Sequence, residues 1–136
     1  MLYKSTAIIF TYPTWIVAHV DSEISRYYYS LIPKYIDRQP QMYPPHITIV
    51  RHGKEKANTS NFGRFANKKI RYYYDPTIYE GNIYFWLNAY STDIEQIRVE
   101  LGLTNRRFNS TIPQWPFNQT FHITLGNKKL CQIYTM

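Results

Sequence analysis

The chain has one cysteine, Cys131, and only five glycines in 136 residues. A lone thiol excludes an internal disulfide framework, so a reducing, cytoplasmic setting is expected, with Cys131 structural rather than nucleophilic. Five glycines leave little from which to build a Gly-rich phosphate loop, and no such pattern occurs. C-x-x-C, H-E-x-x-H and EF-hand spacings are missing too. No metal site is therefore expected among His19, His46, His52, His122 and Cys131, and no cofactor. No apolar run approaches the ~18 residues of a membrane span, so no membrane partner is expected. The stretch Ala7-Ile8-Ile9-Phe10 is too short for a secretion signal and reads as a first strand. Without such a signal, the glycosylation-like triplets at Asn58, Asn109 and Asn118 read as chance. Acidic residues are also few: nine Asp and Glu against sixteen Lys and Arg, a formal charge of +7.

That excess of cations favours an anionic partner, although a solvated basic surface accounts for it equally well. Aromatic residues make up 18%, with 14 tyrosines. Interleaved with Lys and Arg they suit base stacking beside phosphate, and equally a Tyr-rich core. With 44% hydrophobic and 18% charged residues, the chain reads as one globular domain, 1–136.

An internal repeat is legible. At a shift of 70 residues, Trp15-Ile16-Val17 lies over Phe85-Trp86-Leu87, Asp21-Ser22-Glu23-Ile24 over Ser91-Thr92-Asp93-Ile94, and Leu31 over Leu101. Each copy, roughly 3–51 and 69–127, reads as strand, acidic cap and helix. The first helix is expected to bury Ile24, Tyr27, Tyr28, Leu31, Ile32 and Tyr35, with Pro33 near its end. The second opens on a Thr92-x-x-Glu95 capping box, buries Ile94, Ile97 and Leu101, and stops at Gly102. Residues 68–75 read as a strand ending near Pro76, 51–67 as a basic loop with a short helix, and 104–120 as an irregular loop. Alternation in 82–90 puts Ile83, Phe85, Leu87 and Ala89 on an apolar face. The same parity in 12–18 turns the even positions outward, so Tyr12 and Trp86 are expected to line one concavity. It leaves His19 on the structural face with Ala89, and His52 as a loop residue.

Two tripeptides carry chemistry: His46-Ile47-Thr48 and His122-Ile123-Thr124. Each lies in a strand-like run after the helix of its own copy, and the shift between them is 76. In a strand, His and Thr two apart share a face, while Ile47, Ile49, Ile123 and Leu125 take the other. Two imidazoles can act as base and acid near neutrality, and two hydroxyls can donate to non-bridging phosphate oxygens.

This arrangement resembles the two-histidine (2H) phosphoesterase superfamily, whose signature is a pair of His-x-Thr/Ser motifs, one per lobe of a duplicated α+β fold. The resemblance spans Tyr3 to Asn127. It implies antiparallel sheets flanking a central cleft, with helices outside. It also implies metal-independent cleavage of RNA-type phosphodiesters, with His46 and His122 as acid and base and Thr48 and Thr124 as phosphate ligands. Such enzymes often hold the base against an aromatic wall, and Tyr12 and Trp86 are expected to form it. Arg106, Arg107 and Trp115 either clamp a far nucleotide or are ordinary surface charge and a loop anchor.

Two substrate classes fit. One is a cyclic di- or oligonucleotide immune signal, as degraded by small phage anti-CBASS phosphodiesterases of this superfamily. The other is a 2′,3′-cyclic phosphate or 2′,5′ linkage at an RNA end. Small size and a Tyr-, Ile-, Asn- and Lys-rich composition favour the first, hence a viral protein in the host cytoplasm. A nucleotide or oligonucleotide is the expected partner, with no obligate protein partner. The rival reading is a single-stranded RNA-binding module, which leaves the doubled tripeptide unexplained.

Overall fold

Short polar side chains set both helices. In the computed structural model, which describes residues 1–51, 55, 57, 59–103 and 116–128, Asp21 caps α1 (Ser22–Ser30) by accepting the Glu23 amide at 2.9 Å. Ser91 caps α2 (Thr92–Glu100). Its Oγ accepts from the Ile94 amide at 3.1 Å and donates to the Arg71 carbonyl at 2.6 Å. The cap therefore lies one residue before the expected Thr92 box, which frees Glu95 for a buried role described below. The α2 stripe of Ile94, Ile97 and Leu101 is buried, and Gly102 ends the helix at φ +79°.

The first helix is shorter than its periodicity suggests. The Leu31 and Ile32 amides donate three residues back, to the Tyr28 and Tyr29 carbonyls, and Pro33 has no amide to continue the ladder. Only part of the expected stripe is therefore covered: Tyr28 and Ile32 are buried, whereas Tyr27, Leu31 and Tyr35 are exposed.

Among the described residues seven strands form: β1 (Tyr3–Thr11), β2 (Ile16–His19), β3 (Arg38–Pro40), β4 (His46–Val50), β5 (Lys69–Glu80), β6 (Tyr84–Tyr90) and β7 (Phe121–Lys128). A 3-10 helix covers Thr59–Phe65. The pairings are antiparallel, in the order β3-β7-β4-β2-β1-β5-β6, and β6 pairs back with β7. The fold is thus α+β. In place of two sheets flanking a cleft, one sheet closes as a six-stranded barrel, because β7 is paired along both edges. β3, which no sequence pattern marks, shares one of those edges with β4.

Alternate positions on these strands make the core. Ala7 and Ile9, Ile47 and Ile49, Phe85, Leu87 and Ala89, and Phe121, Ile123 and Leu125 form one buried cluster with the helix stripes. Removing their apolar area from water is the main favourable term in this fold. β5 runs past its expected end to Glu80. Pro76 falls inside the register break between Tyr74 and Ile78, where the ladder needs no donor.

Gly126 is where β3 and α1 close onto β7. A Cβ there would stand 2.5 Å from the Gln39 carbonyl oxygen and 2.9 Å from the Tyr29 ring. Gly126→Ala is expected to cost about 1–3 kcal/mol, the range for overpacking. Urea unfolding checks this, and a wild-type midpoint in the variant would contradict the close approach of Gln39.

Candidate active site

Barrel closure brings the two tripeptides together. β4 meets β7 through a single pair, Ile47 opposite Ile123, both fully buried. In an antiparallel register centred there, His46 lies across from Thr124 and Thr48 across from His122. All four polar side chains point away from the two isoleucines, onto one face. The histidines are diagonal neighbours, a relation that separates backbones by roughly 7–8 Å.

Each imidazole is held differently. The His46 Nδ1 lies 2.9 Å from the Pro44 carbonyl oxygen. A carbonyl only accepts, so Nδ1 carries a proton, and Nε2 is the nitrogen left to exchange one. His122 meets the Trp86 ring edge-on, with centroids 5.7 Å apart at 71°. One side of His122 reaches solvent, but the protein packed around it desolvates the cation and lowers its pKa from the ordinary 6.5. Trp86 is fixed in turn. Its Nε1 donates to Asn88 Oδ1 at 3.0 Å, and its ring stacks on Tyr79 at 6.1 Å and 22°.

Thr48, His122 and Thr124 line a cavity of about 490 Å³, together with Arg51, Gln119 and Thr120. A second groove of about 380 Å³ runs from His122 and Thr124 along Trp86 and Tyr84 to Gly81. His46 stands outside the larger cavity, next to His19.

One helix positions both motif strands. The buried Arg98 guanidinium donates to the Ile49 carbonyl at 2.7 Å and grips Glu55 with two bonds, at 3.0 and 2.7 Å. Those Arg98 bonds hold the Glu55 carboxyl below its ordinary range. One turn earlier, the buried Glu95 accepts from the Asn118 amide at 3.1 Å and from its Nδ2 at 3.0 Å. Arg98 thus fixes the residue after Thr48, and Glu95 fixes the approach to His122.

The expected first-copy parity needs correction. The residues of β2 beside the motif are Val17, opposite Thr48, and His19, opposite His46. In β6 they are Trp86, opposite Thr124, and Asn88, opposite His122. The strands therefore correspond at a spacing of 69, Val17 with Trp86 and His19 with Asn88, while the helix caps Asp21 and Ser91 stay at 70. One more residue separates Asn88 from the cap Ser91 than separates His19 from the cap Asp21, and a one-residue slip reverses every face. His19 consequently belongs to the motif face rather than to the structural face with Ala89. Burial and the neighbouring His46 lower its pKa.

The four motif residues are brought together, and Trp86 adjoins His122. Tyr12 stacks instead on Trp15 at 4.5 Å, in the turn between β1 and β2. Arg106, Arg107 and Trp115, like His52 and Cys131, lie outside the described residues. Sequence reasoning missed Arg51, whose guanidinium is largely exposed and pairs loosely with Glu55 at 3.6 Å. Its position three residues after Thr48, at the end of a motif strand, was the available signal.

Two imidazoles, two hydroxyls and a guanidinium can receive a phosphate oxygen on several donors while protons move to and from its ester oxygens. Among the described residues no group of three or more His, Cys, Asp or Glu side chains is arranged to hold a metal ion. Nor is any described helix long and apolar enough to cross a membrane. Comparison of the chain with protein-family models, with curated proteins and with solved structures gives no match.

Proposed function

We propose that the chain is a metal-independent phosphodiesterase of the 2H type and that its two halves are the duplicated lobes of that fold. In this reading it cleaves RNA-type phosphodiester bonds by acid–base catalysis from His46 and His122. The observation that carries the reading is the pairing of Ile47 with Ile123, which puts both His-x-Thr motifs on one face. Two unrelated tripeptides have no reason to meet at the residue that closes a barrel.

The different settings of the imidazoles suggest their roles. His122, with its lowered pKa, is the neutral base. His46 is the acid: its Nδ1 donates to the Pro44 carbonyl, which leaves Nε2 to deliver a proton. At an internal 3′,5′ linkage His122 takes the proton of the ribose 2′-hydroxyl. The 2′-oxygen attacks phosphorus, the P–O5′ bond breaks, and His46 protonates the departing 5′-oxygen. The products are a 2′,3′-cyclic phosphate and a free 5′-hydroxyl. Thr48, Thr124 and Arg51 bind the non-bridging oxygens as charge shifts onto them.

Cyclic di- or oligonucleotide signals fit best as substrates, and the role would be viral anti-defence. A charge of +7, a polar recess beside Arg51 and an adjoining groove along Trp86 and Tyr84 suit a compact polyanionic ligand.

Incubation with cyclic dinucleotides and a 2′,3′-cyclic mononucleotide in excess EDTA, followed by chromatography, is the direct test. Turnover is expected to survive the chelator. Complete loss with rescue by a divalent ion would sink the mechanism, and binding without any cleavage would favour the RNA-binding module. A 2′-deoxy cyclic dinucleotide should resist cleavage, and equal cutting of ribo- and deoxy-substrates would refute attack by the 2′-hydroxyl.

A further inference from the structure

The spacing of 69 that relates Val17 to Trp86 continues one strand further out. Phe10 of β1 lies opposite Val17, and Tyr79 of β5 lies opposite Trp86. Running outward from each threonine, the rows are Thr48, Val17, Phe10 and Thr124, Trp86, Tyr79. Each row ends in a stacked ring pair. Tyr79 stacks on Trp86, whereas Phe10 stacks on His19 at 3.9 Å and 23°. The small Val17 leaves Phe10 room to turn onto the imidazole. Phe10 nevertheless keeps 40% of its surface exposed, and its neighbour Ile8, opposite His19, keeps 37%. Contiguous apolar side chains left open beside a polar site mark a surface that a ligand can cover.

We infer that the Phe10–His19 pair and the Trp86–Tyr79 pair are two nucleobase platforms, placed on opposite sides of the His46/His122 centre. The substrate class is then an internal linkage with a base on each side of the cut phosphate. This rests on the phosphodiesterase reading above and chooses within it, against mononucleotide 2′,3′-cyclic ends, which need one platform only. The spacing suits it. A phosphorus between β4 and β7 is one and a half strand spacings, roughly 7 Å, from His19 on β2 and from Trp86 on β6, and the outer rings Phe10 on β1 and Tyr79 on β5 each lie one strand further out. The two outer rings offer π-faces of similar kind, and stacking on them is tolerant of base identity. The flanking polar atoms differ, an imidazole on one side and the Asn88 amide on the other, so the two bases are read unequally.

The test is calorimetric titration with two ligands that lack the attacking hydroxyl, the deoxydinucleotide dApdA and the mononucleotide dAMP. Wild type should bind dApdA more tightly. Phe10→Ala should weaken dApdA about tenfold more than dAMP, within the range for losing one stacked base. Phe10→Tyr, which retains the ring, should keep most of the affinity and guards against a folding defect. Trp86→Ala should weaken both ligands. Failure of wild type to prefer dApdA, or equal losses on both ligands in Phe10→Ala, would overturn the second platform. Binding is read without turnover. A protein that shows this binding pattern but cuts no ribo-substrate loses the phosphodiesterase reading and keeps the two platforms.

Discussion

His46→Ala and His122→Ala should each lower kcat/KM by about 10²–10⁴-fold, the usual contribution of a positioned proton-transfer group. Both side chains lie on the solvent side of the β4–β7 pair, opposite the buried Ile47 and Ile123. Removing them leaves the core intact, and far-UV spectra and unfolding midpoints should stay close to wild type. The double variant should be little worse than either single one, because the proton taken by one imidazole is useless without the proton given by the other. The pH profile adds a sign. Desolvation lowers the His122 pKa, so a base at this position stays neutral to lower pH than an exposed imidazole. The acid limb of the bell should then fall below 6.5, as a macroscopic value belonging to the pair. A limb above that value, or a rate rising without limit toward alkali, would remove His122 as base or the second imidazole as acid.

Arg98→Met should cost about 3–5 kcal/mol near neutral pH, the range for breaking one side of a buried ion pair. The Arg98 and Glu55 side chains are 6% and 12% exposed, so water can reach the lost partner's place only from the cavity that both help to line. The Ile49 carbonyl loses its donor in the same step. The pH dependence follows from Glu55. Its folded pKa is held below the ordinary 4.5, chiefly by the Arg98 hydrogen bonds. The pair therefore stabilises the fold above that value, and the contribution is lost as pH falls through the folded pKa. The gap between wild type and Arg98→Met should narrow on acidification, since Glu55 becomes neutral in both. Urea unfolding at about pH 7 and about pH 3 would measure it. A gap that widens in acid, or one under about 1 kcal/mol at neutrality, contradicts the buried pair. Glu55→Gln added to Arg98→Met should recover part of the loss, because no charge is then left buried.

Local pattern determined much of this protein. Period-3.6 stripes and short polar caps located both helices, and alternation in residues 82–90 separated Leu87 and Ala89 from Trp86 and Asn88. The doubled His-Ile-Thr identified the four side chains that now share a face. What the sequence left open was pairing. A period of two says which residues alternate, but not which strand they lie beside or in what register. One extra residue before Ser91 was enough to put His19 on the opposite face from the one its alignment suggested. The closure of β7 between β4 and β6, the short strand β3, and the Arg98–Glu55 contact across 43 residues are all non-local. None leaves a periodic trace in the chain. Tertiary structure alone decides them, because the free energy of a strand pair or a buried ion pair depends on both partners and on what covers them.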